Sequence, residues 1–422
     1  MKVSASSENI GHSTLGRPLT VEFSAAQSGR PRVFIMAGQH GDEPDARLAA
    51  SQYLAGLKSG PAHVAVLADA NPDGAAVNTR RNANDVDLNR DHLLLNAPET
   101  AAIHSFVDRW NPDLVIDVHT YRPGRPELLQ HGLVFPQDVM ADIPTNPAAW
   151  SGEPNDVGND FLDFLRKRMA EAGIRCDRYT LVRPSGMVRH SNFDIIDARN
   201  GLALRFGIPT VLLEGRRPAP GDPAGFVPPH LALLRAIEST VEWAGGRSAN
   251  LPASDLIPIG CEYARSGDLT RQMEMMSAAS GEIRMAGIPG PYMPLVKTTE
   301  SIRLPRAYAV PRNSEILELL KRHRLETASS ESECWRGAVV EMHRILSPLP
   351  TFQAEEPAPP PELALERGPL NSAGMDLFPT SQRGGMALAL LLEPKSQFAL
   401  YRFNDLHLKL RPGMLYPVGR VI

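Results

Sequence analysis

Across residues 1 to about 248, short apolar runs alternate with stretches of helical periodicity, an alternation that predicts an α/β sheet. Four runs read as buried strands, 33–37, 63–68, 114–118 and 208–213, each bounded by polar or turn-forming residues. Between them, the run from Asp160 to Ala170 places apolar residues at helical spacing, with acid at its start, base at its end and Gly173 just beyond. An amphipathic cover helix is expected there. The stretch from Arg122 to Asn159, rich in Pro, Gly and Asn, is expected to form loops. Farther on, Ala307 to Pro311 reads as a short edge strand, Asn313 to His323 as a capped helix with an apolar stripe, and Met386 to Leu392 as a helix that stops before Pro394. Pro357 to Pro361 marks an extended linker or loop. The expected organisation is a large unit over 1–248 and an accessory carboxyl-terminal region over 249–422, a small α+β module with the Pro-rich segment near 355–361.

The strand candidates lead into residues with chemical capability. The first passes through Gly38 and Gln39 to His40 and, three residues on, Glu43; the third ends at His119 and the fourth at Glu214. In open α/β sheets ligands gather beyond the carboxyl ends of the strands, so useful residues at several strand ends support one another. Two imidazoles and a carboxylate suit Zn²⁺, and three protein ligands leave a coordination position open, as catalysis requires. His40, Glu43 and His119 are therefore expected to bind one Zn²⁺ per chain, with Glu214 as the base of a zinc hydrolase. Taken singly, each residue also has a structural reading. His40 and Glu43 fit a charge pattern at a helix start, His119 a core histidine paired with Asp117, and Glu214 a partner for Arg216 or Arg217. Arg80, Arg81 and Arg90 fit a solvated surface. The ordered set favours the chemical reading.

Composition narrows the classes. A net charge of -4 gives no overall field that favours nucleic acid or a membrane surface, and hydrophobic residues at 42% allow a sizeable core. The first residues carry no apolar segment of signal-peptide type and no stretch reaches spanning length, so a soluble, cytoplasmic protein is expected. Cys176, Cys261 and Cys334 are few and widely spaced, which argues for buried free thiols rather than disulfides or a thiolate zinc cluster.

The segment after the second strand contains Asn71-Pro72-Asp73-Gly74 and then Arg80 to Arg90, with Val86-Asp87-Leu88-Asn89-Arg90 at its end. Together with His40-x-x-Glu43, His119 and Glu214, in that order, this run resembles the zinc carboxypeptidase family, the carboxypeptidase A-like metallopeptidases. The specific motifs lie between residues 38 and 217, and the order of segments near the carboxyl end resembles the extension of some bacterial zinc carboxypeptidase-like proteins. The resemblance implies a mixed, mainly parallel central sheet flanked by helices and hydrolysis of a peptide-like amide next to a free carboxylate. It also implies that Asn89 and Arg90 bind the substrate carboxylate, that Arg80 polarises the scissile carbonyl, and that Asp87 accepts the second ring N–H of His40. One feature departs from the family: the region 187–193 lacks the tyrosine often found upstream of the catalytic glutamate, and His190 is its only imidazole. Arg199, Arg205, Arg216 and Arg217 surround Glu214 in sequence, which fits either an acidic substrate or surface placement. The expected function is a metallocarboxypeptidase acting on a small peptide. The alternatives are an N-acyl amino acid deacylase of the succinylglutamate desuccinylase or aspartoacylase kind or a murein-peptide amidase, and, in another class, a non-catalytic peptide-binding protein.

Overall fold

The computed structural model describes residues 6–422 apart from 26–27, 57–59, 150–156, 191, 220–221, 223–224, 246–255, 266, 268, 313, 330–334, 354–358 and 372. The boundary expected near 248, Asn313, Cys334 and most of the Pro-rich segment lie outside the described residues. Eight strands form the central sheet: β1 (Ser6–His12), β2 (Pro18–Phe23), β3 (Arg32–Ala37), β4 (His63–Leu67), β5 (Leu114–Tyr121), β6 (Val139–Asp142), β7 (Cys176–Arg178) and β8 (Thr210–Arg216). Their order is β1-β2-β4-β3-β5-β8-β6-β7. The pairs β4–β3, β3–β5, β5–β8 and β6–β7 are parallel, whereas β1–β2, β2–β4 and β8–β6 are antiparallel.

Both faces of this sheet are covered, and the strand sequences show why. Along β3, Val33, Ile35 and Ala37 join the cluster beneath helices α1 (Pro44–Gly56), α3 (Val157–Glu171) and α5 (Pro229–Gly245). Phe34 and Met36 join the opposite cluster, under α2 (Pro98–Trp110) and α4 (Ala198–Phe206). A strand buried on both faces reads as one continuous apolar run, as this one does. The strand order reverses between β3 and β5, since β4 lies on one side of β3 and β5 on the other. That switch point is where an open α/β sheet leaves a crevice at its carboxyl end.

The structure corrects several expected boundaries. β5 runs on through His119 to Tyr121 because β8 pairs with it as far as Arg216↔Tyr121. The fourth strand starts at Thr210 rather than 208, since Pro209 has no N–H for the ladder, and it continues past Glu214. His119 and Glu214 are thus inside the strands, near their carboxyl ends. The expected loops over 122–159 contain β6, a full member of the central sheet, together with a short helix at Pro126–Leu129.

Residues 256–422 build a five-stranded antiparallel sheet of β9 (Ala307–Pro311), β10 (Val339–Ile345), β11 (Leu363–Pro369), β12 (Met375–Pro379) and β13 (Gly419–Val421), with smaller sheets beside it. β9 is internal, between β13 and β12, rather than an edge: Tyr308 and Val310 bury on one side and Ala307 and Ala309 on the other, and Pro311 falls where the strand stops. Ser314 caps α6 (Glu315–Arg322) by accepting from Leu317 N, and α7 (Gly385–Leu392) ends before Pro394 as expected. One apolar cluster joins Leu93, Phe193, Ile195, Ala203 and Leu204 to Ile257, Tyr308, Leu320, Leu388 and Phe398. Cys261 is buried and Cys176 partly so, both as free thiols. Among the described residues no helix is long and apolar enough to cross a membrane.

Candidate metal centre

At the switch point, β3 ends in a glycine turn and the chain passes through His40 to Glu43, which immediately precedes α1. The turn depends on close approach. A Cβ at Gly41 would overlap the backbone of Gly74, Ala75 and Thr79, so the Asn71-Pro72-Asp73-Gly74 segment is pressed directly against the loop bearing His40. Asn71 clamps it in place: Oδ1 accepts from Gly74 N at 2.9 Å while Nδ2 donates to Gln39 O and Arg80 O at 3.2 and 3.3 Å. Asp73 is buried and receives hydrogen bonds from Ser13 Oγ and Leu15 N, and it pairs with Arg17. This motif shapes the loop and holds it to the amino-terminal strands.

The loop and β5 bring three potential ligands together. His40 Nδ1 lies 2.8 Å from Glu43 Oε1 and 3.1 Å from His119 Nδ1, and His119 Nδ1 lies 3.2 Å from Glu43 Oε2. All three residues are buried, and ligand atoms from the three fall within 4.8 Å of one another. The far side of each ring faces a carboxylate, Asp87 Oδ1 at 3.3 Å from His40 Nε2 and Asp117 Oδ1 at 2.9 Å from His119 Nε2. A carboxylate behind each ring fixes the proton on Nε2 and turns the Nδ1 lone pair inward, an arrangement that fits a dication. Thr120 N donates to Glu43 Oε2 at 2.8 Å, and Arg217 Nη2 lies 3.2 Å from Oε1, so the carboxylate is oriented as well. The donor set of two nitrogens and one carboxylate suits Zn²⁺.

Glu214 stands beside this cluster by strand register: in the parallel β5–β8 ladder it pairs with His119. Its Oε2 is buried without a hydrogen-bond partner. Burial, opposed by His119 and reinforced by the Glu43 carboxylate, pushes its pKa up to about 7. A carboxylate tuned toward neutrality, with a free oxygen aimed at a cavity, is equipped for proton transfer.

That cavity has a volume of about 680 Å³ and is lined by His40, Glu43 and Glu214 together with Arg80, Asn89 and Arg90. Arg80 is anchored by Asp87, with Nε 2.9 Å from Oδ2, and its Nη1 comes within 3.3 Å of His40 Nδ1. Asn89 is buried, its Oδ1 accepting from Ala198 N and its Nδ2 lying 3.2 Å from His119 Nε2. Arg90 is exposed, with Nη1 donating to Asn89 O at 2.6 Å. Among the described residues, every one that lines the cavity falls between 40 and 217, and none comes from the carboxyl-terminal region.

The arginines near Glu214 separate. Arg199 lines the cavity, held between Asp142 and Asp197, and Arg217 lines it while pairing with Asp42 and Glu43. Arg205 turns away and donates to His323 O and Arg383 O, and Arg216 is buried in a pair with Asp222. Arg122, Arg125 and Arg183 also line the cavity, which the sequence did not reveal. Nor did it reveal Tyr179, which follows β7 and reaches the cavity with its hydroxyl 3.4 Å from Arg125 Nη2. The only signal was its place after Cys176-Asp177-Arg178, a run too polar to read as a sheet strand. His190 is spent elsewhere: Nδ1 lies 3.0 Å from Tyr179 O and Nε2 2.8 Å from Tyr292 OH, and burial pushes it down to about 3.

Residues 4–123 match the family model for zinc carboxypeptidase. Carboxypeptidase 2 of Trichophyton tonsurans is similar at 27% identity over 190 residues, 42% of this chain and 35% of that protein. Murein peptide amidase A of Escherichia coli is similar at 38% identity over 104 residues, 25% of this chain and 41% of that protein. The matched stretches thus span well under half of either relative. Among solved structures, a metallo-carboxypeptidase from Burkholderia cenocepacia aligns with a TM-score of 0.44 at 17% identity, covering 58% of this chain and 66% of that one.

Proposed function

We propose, from the premise that residues 4–123 are a zinc carboxypeptidase family segment, that this protein is a zinc-dependent hydrolase. Its substrate is a small peptide, cut at an amide bond next to a free carboxylate. The observation that carries the reading is the convergence of His40 Nδ1, His119 Nδ1 and the Glu43 carboxylate beside the unpartnered Oε2 of Glu214. His40, Glu43 and His119 would hold Zn²⁺, which when bound supplies a Lewis acid and makes water more acidic. Glu214 accepts the proton of the attacking water and later delivers it to the leaving amine. Arg80, braced by Asp87 and directed toward the ligand cluster, donates to the scissile carbonyl oxygen as negative charge develops there. Arg90 anchors the substrate carboxylate with guanidinium geometry, and Asn89 supports it from the same short helical turn. Tyr179, which also lines the cavity, supplies the phenol that the segment 187–193 lacks.

A second reading, an acidic N-acyl amino acid or a murein-type peptide as substrate, is favoured by Arg122, Arg125 and Arg183 on the cavity wall. It also agrees with the similarity to a murein peptide amidase. The test joins metal analysis with a library of ordinary short peptides, γ-linked peptides and N-acyl amino acids, on wild type and Glu214→Gln. One zinc per chain, release of a carboxyl-terminal residue, and loss of that release in the variant with zinc retained are the expected results. Preference for γ-linked or N-succinyl substrates establishes the second reading. Bound zinc with no turnover of any substrate points to a peptide-binding protein, and no zinc after reconstitution removes the metal assignment.

A further inference from the structure

Gln39, next to the ligand His40, is buried with both ends of its carboxamide engaged. Its Nε2 donates to Asp117 Oδ1 at 2.8 Å, and its Oε1 lies 2.8 Å from His92 Nε2. His92 Nδ1 in turn lies 3.2 Å from Nε2 of His104, on α2. Gln39, His92, His104 and Asp117 are all buried, and the apolar residues usual in a core would fill this volume without the cost of burying polar groups. The chain therefore invites a reading beyond packing.

Its hydrogen-bond polarity is determined from one end. An ionised carboxylate only accepts, so the Gln39 atom facing Asp117 is the NH₂ group, and the carbonyl oxygen faces His92. His92 must then carry its proton on Nε2, which leaves Nδ1 as an acceptor. His104 must likewise carry its proton on Nε2 to donate to that atom. Burial favours the neutral form of both rings, which each tautomer requires. The far end is closed by the carboxyl-terminal region. His323, just after α6, sets its ring edge-on to His104 at 5.6 Å between centroids, and its Nε2 lies 2.7 Å from Leu93 O.

We propose that Gln39, His92 and His104 are positioning residues that hold the Asp117 carboxylate against His119 Nε2, and that the carboxyl-terminal region seals this chain through His323. His119 then presents Nδ1 toward His40 and Glu43. The inference rests on the reading of His119 as a metal ligand, and it gives the carboxyl-terminal region a part in a centre whose cavity none of its described residues lines.

Two measurements on the full chain test it. In the metal-free protein labelled with ¹⁵N-histidine, long-range ¹H–¹⁵N spectra are expected to show His92 and His104 as neutral Nε2–H tautomers. An Nδ1–H tautomer or an imidazolium at neutral pH for either ring overturns the chain. The second is Zn²⁺ affinity by competition with a chelating dye, for His92→Asn and His92→Gln. Glutamine can place an N–H near the site of Nε2, whereas asparagine is too short to reach Gln39. Affinity should fall about tenfold or more in the Asn variant and stay close to wild type in the Gln variant. Equal loss in both variants means packing alone, and no loss in either removes the coupling; both results defeat the proposal. Should neither variant fold, the tautomers of the unmodified chain still decide, and a wild-type chain that binds no Zn²⁺ fails the metal reading while leaving the tautomer result intact.

Discussion

Glu214 and Asp194 are buried carboxyl groups whose pKa values both rise to about 7, in different settings. Glu214 faces the ligand cluster and has a proposed use for its raised affinity for protons. Asp194 is raised by burial and by the neighbouring Asp197 charge, with Arg189, Arg90 and Arg183 only partly offsetting them. Its folded-state pKa lies above the unfolded value, so the native state holds a proton that the unfolded chain has lost. The contribution of Asp194 to stability is therefore expected to fall as pH rises from about 4 to about 7, with a slope approaching 1.4 kcal/mol per pH unit. Denaturant unfolding of wild type and Asp194→Asn across that range checks this: other shifted groups such as Glu214 are common to both proteins, so the stability of the variant relative to wild type should rise with pH by that slope. A steeper decline in the variant would contradict the assignment. At the level of single residues, His40, Glu43, His119, Glu214 and Asp87 were legible because each sits at a fixed offset from a strand or within a short motif. Gln39, His92 and His104 were not, since nothing local joins positions 39, 92 and 104; only the packing of α2 on the sheet does. Asp117 was legible as the partner of His119, two residues away on the same strand.

Among the elements, the loop from β3 to α1 is the most tightly constrained. A side chain at Gly41 would have to displace backbone on the Asn71–Thr79 segment, which no rotamer change relieves. Gly41→Ala is expected to cost about 1–3 kcal/mol of stability and to weaken Zn²⁺ binding by shifting His40. Thermal unfolding together with a Zn²⁺ titration would measure both, and unchanged values would show that the loop yields more easily than its contacts imply. Asn71→Ala removes the clamp itself and should move both quantities in the same direction by about 1–3 kcal/mol in stability, since buried backbone groups lose their partner. The four expected strands were read correctly in place but not in length, because apolar patterning stops at His119 whereas pairing with β8 carries the strand to Tyr121. β6 and β7 were missed for the same reason: they are short, and pairing rather than composition makes them strands.

At the scale of the molecule, the apolar cluster shared by residues 93–204 and 257–418 makes the two parts of the chain depend on one another. A chain ending at Gly245 would expose Leu93, Phe193, Ala203 and Leu204, and it is expected to aggregate or unfold well below the full chain. The intact protein should melt in a single transition followed equally by far- and near-ultraviolet circular dichroism; two separated transitions would show independent units. Arg205 crossing to His323 and Arg383 points the same way. The α/β pattern foretold the central sheet, while the five-stranded sheet beyond residue 306 escaped notice because its strands are far apart in sequence. Glu214 and His119 occupy one rung of the β5–β8 ladder, so main-chain geometry sets the distance between them. Much of the cavity wall shared with Glu214 comes instead from segments such as 122–129 and 179–183, outside the ladder. Over evolutionary time such a chain can exchange its walls, and with them its diet, while inheriting its chemistry unaltered.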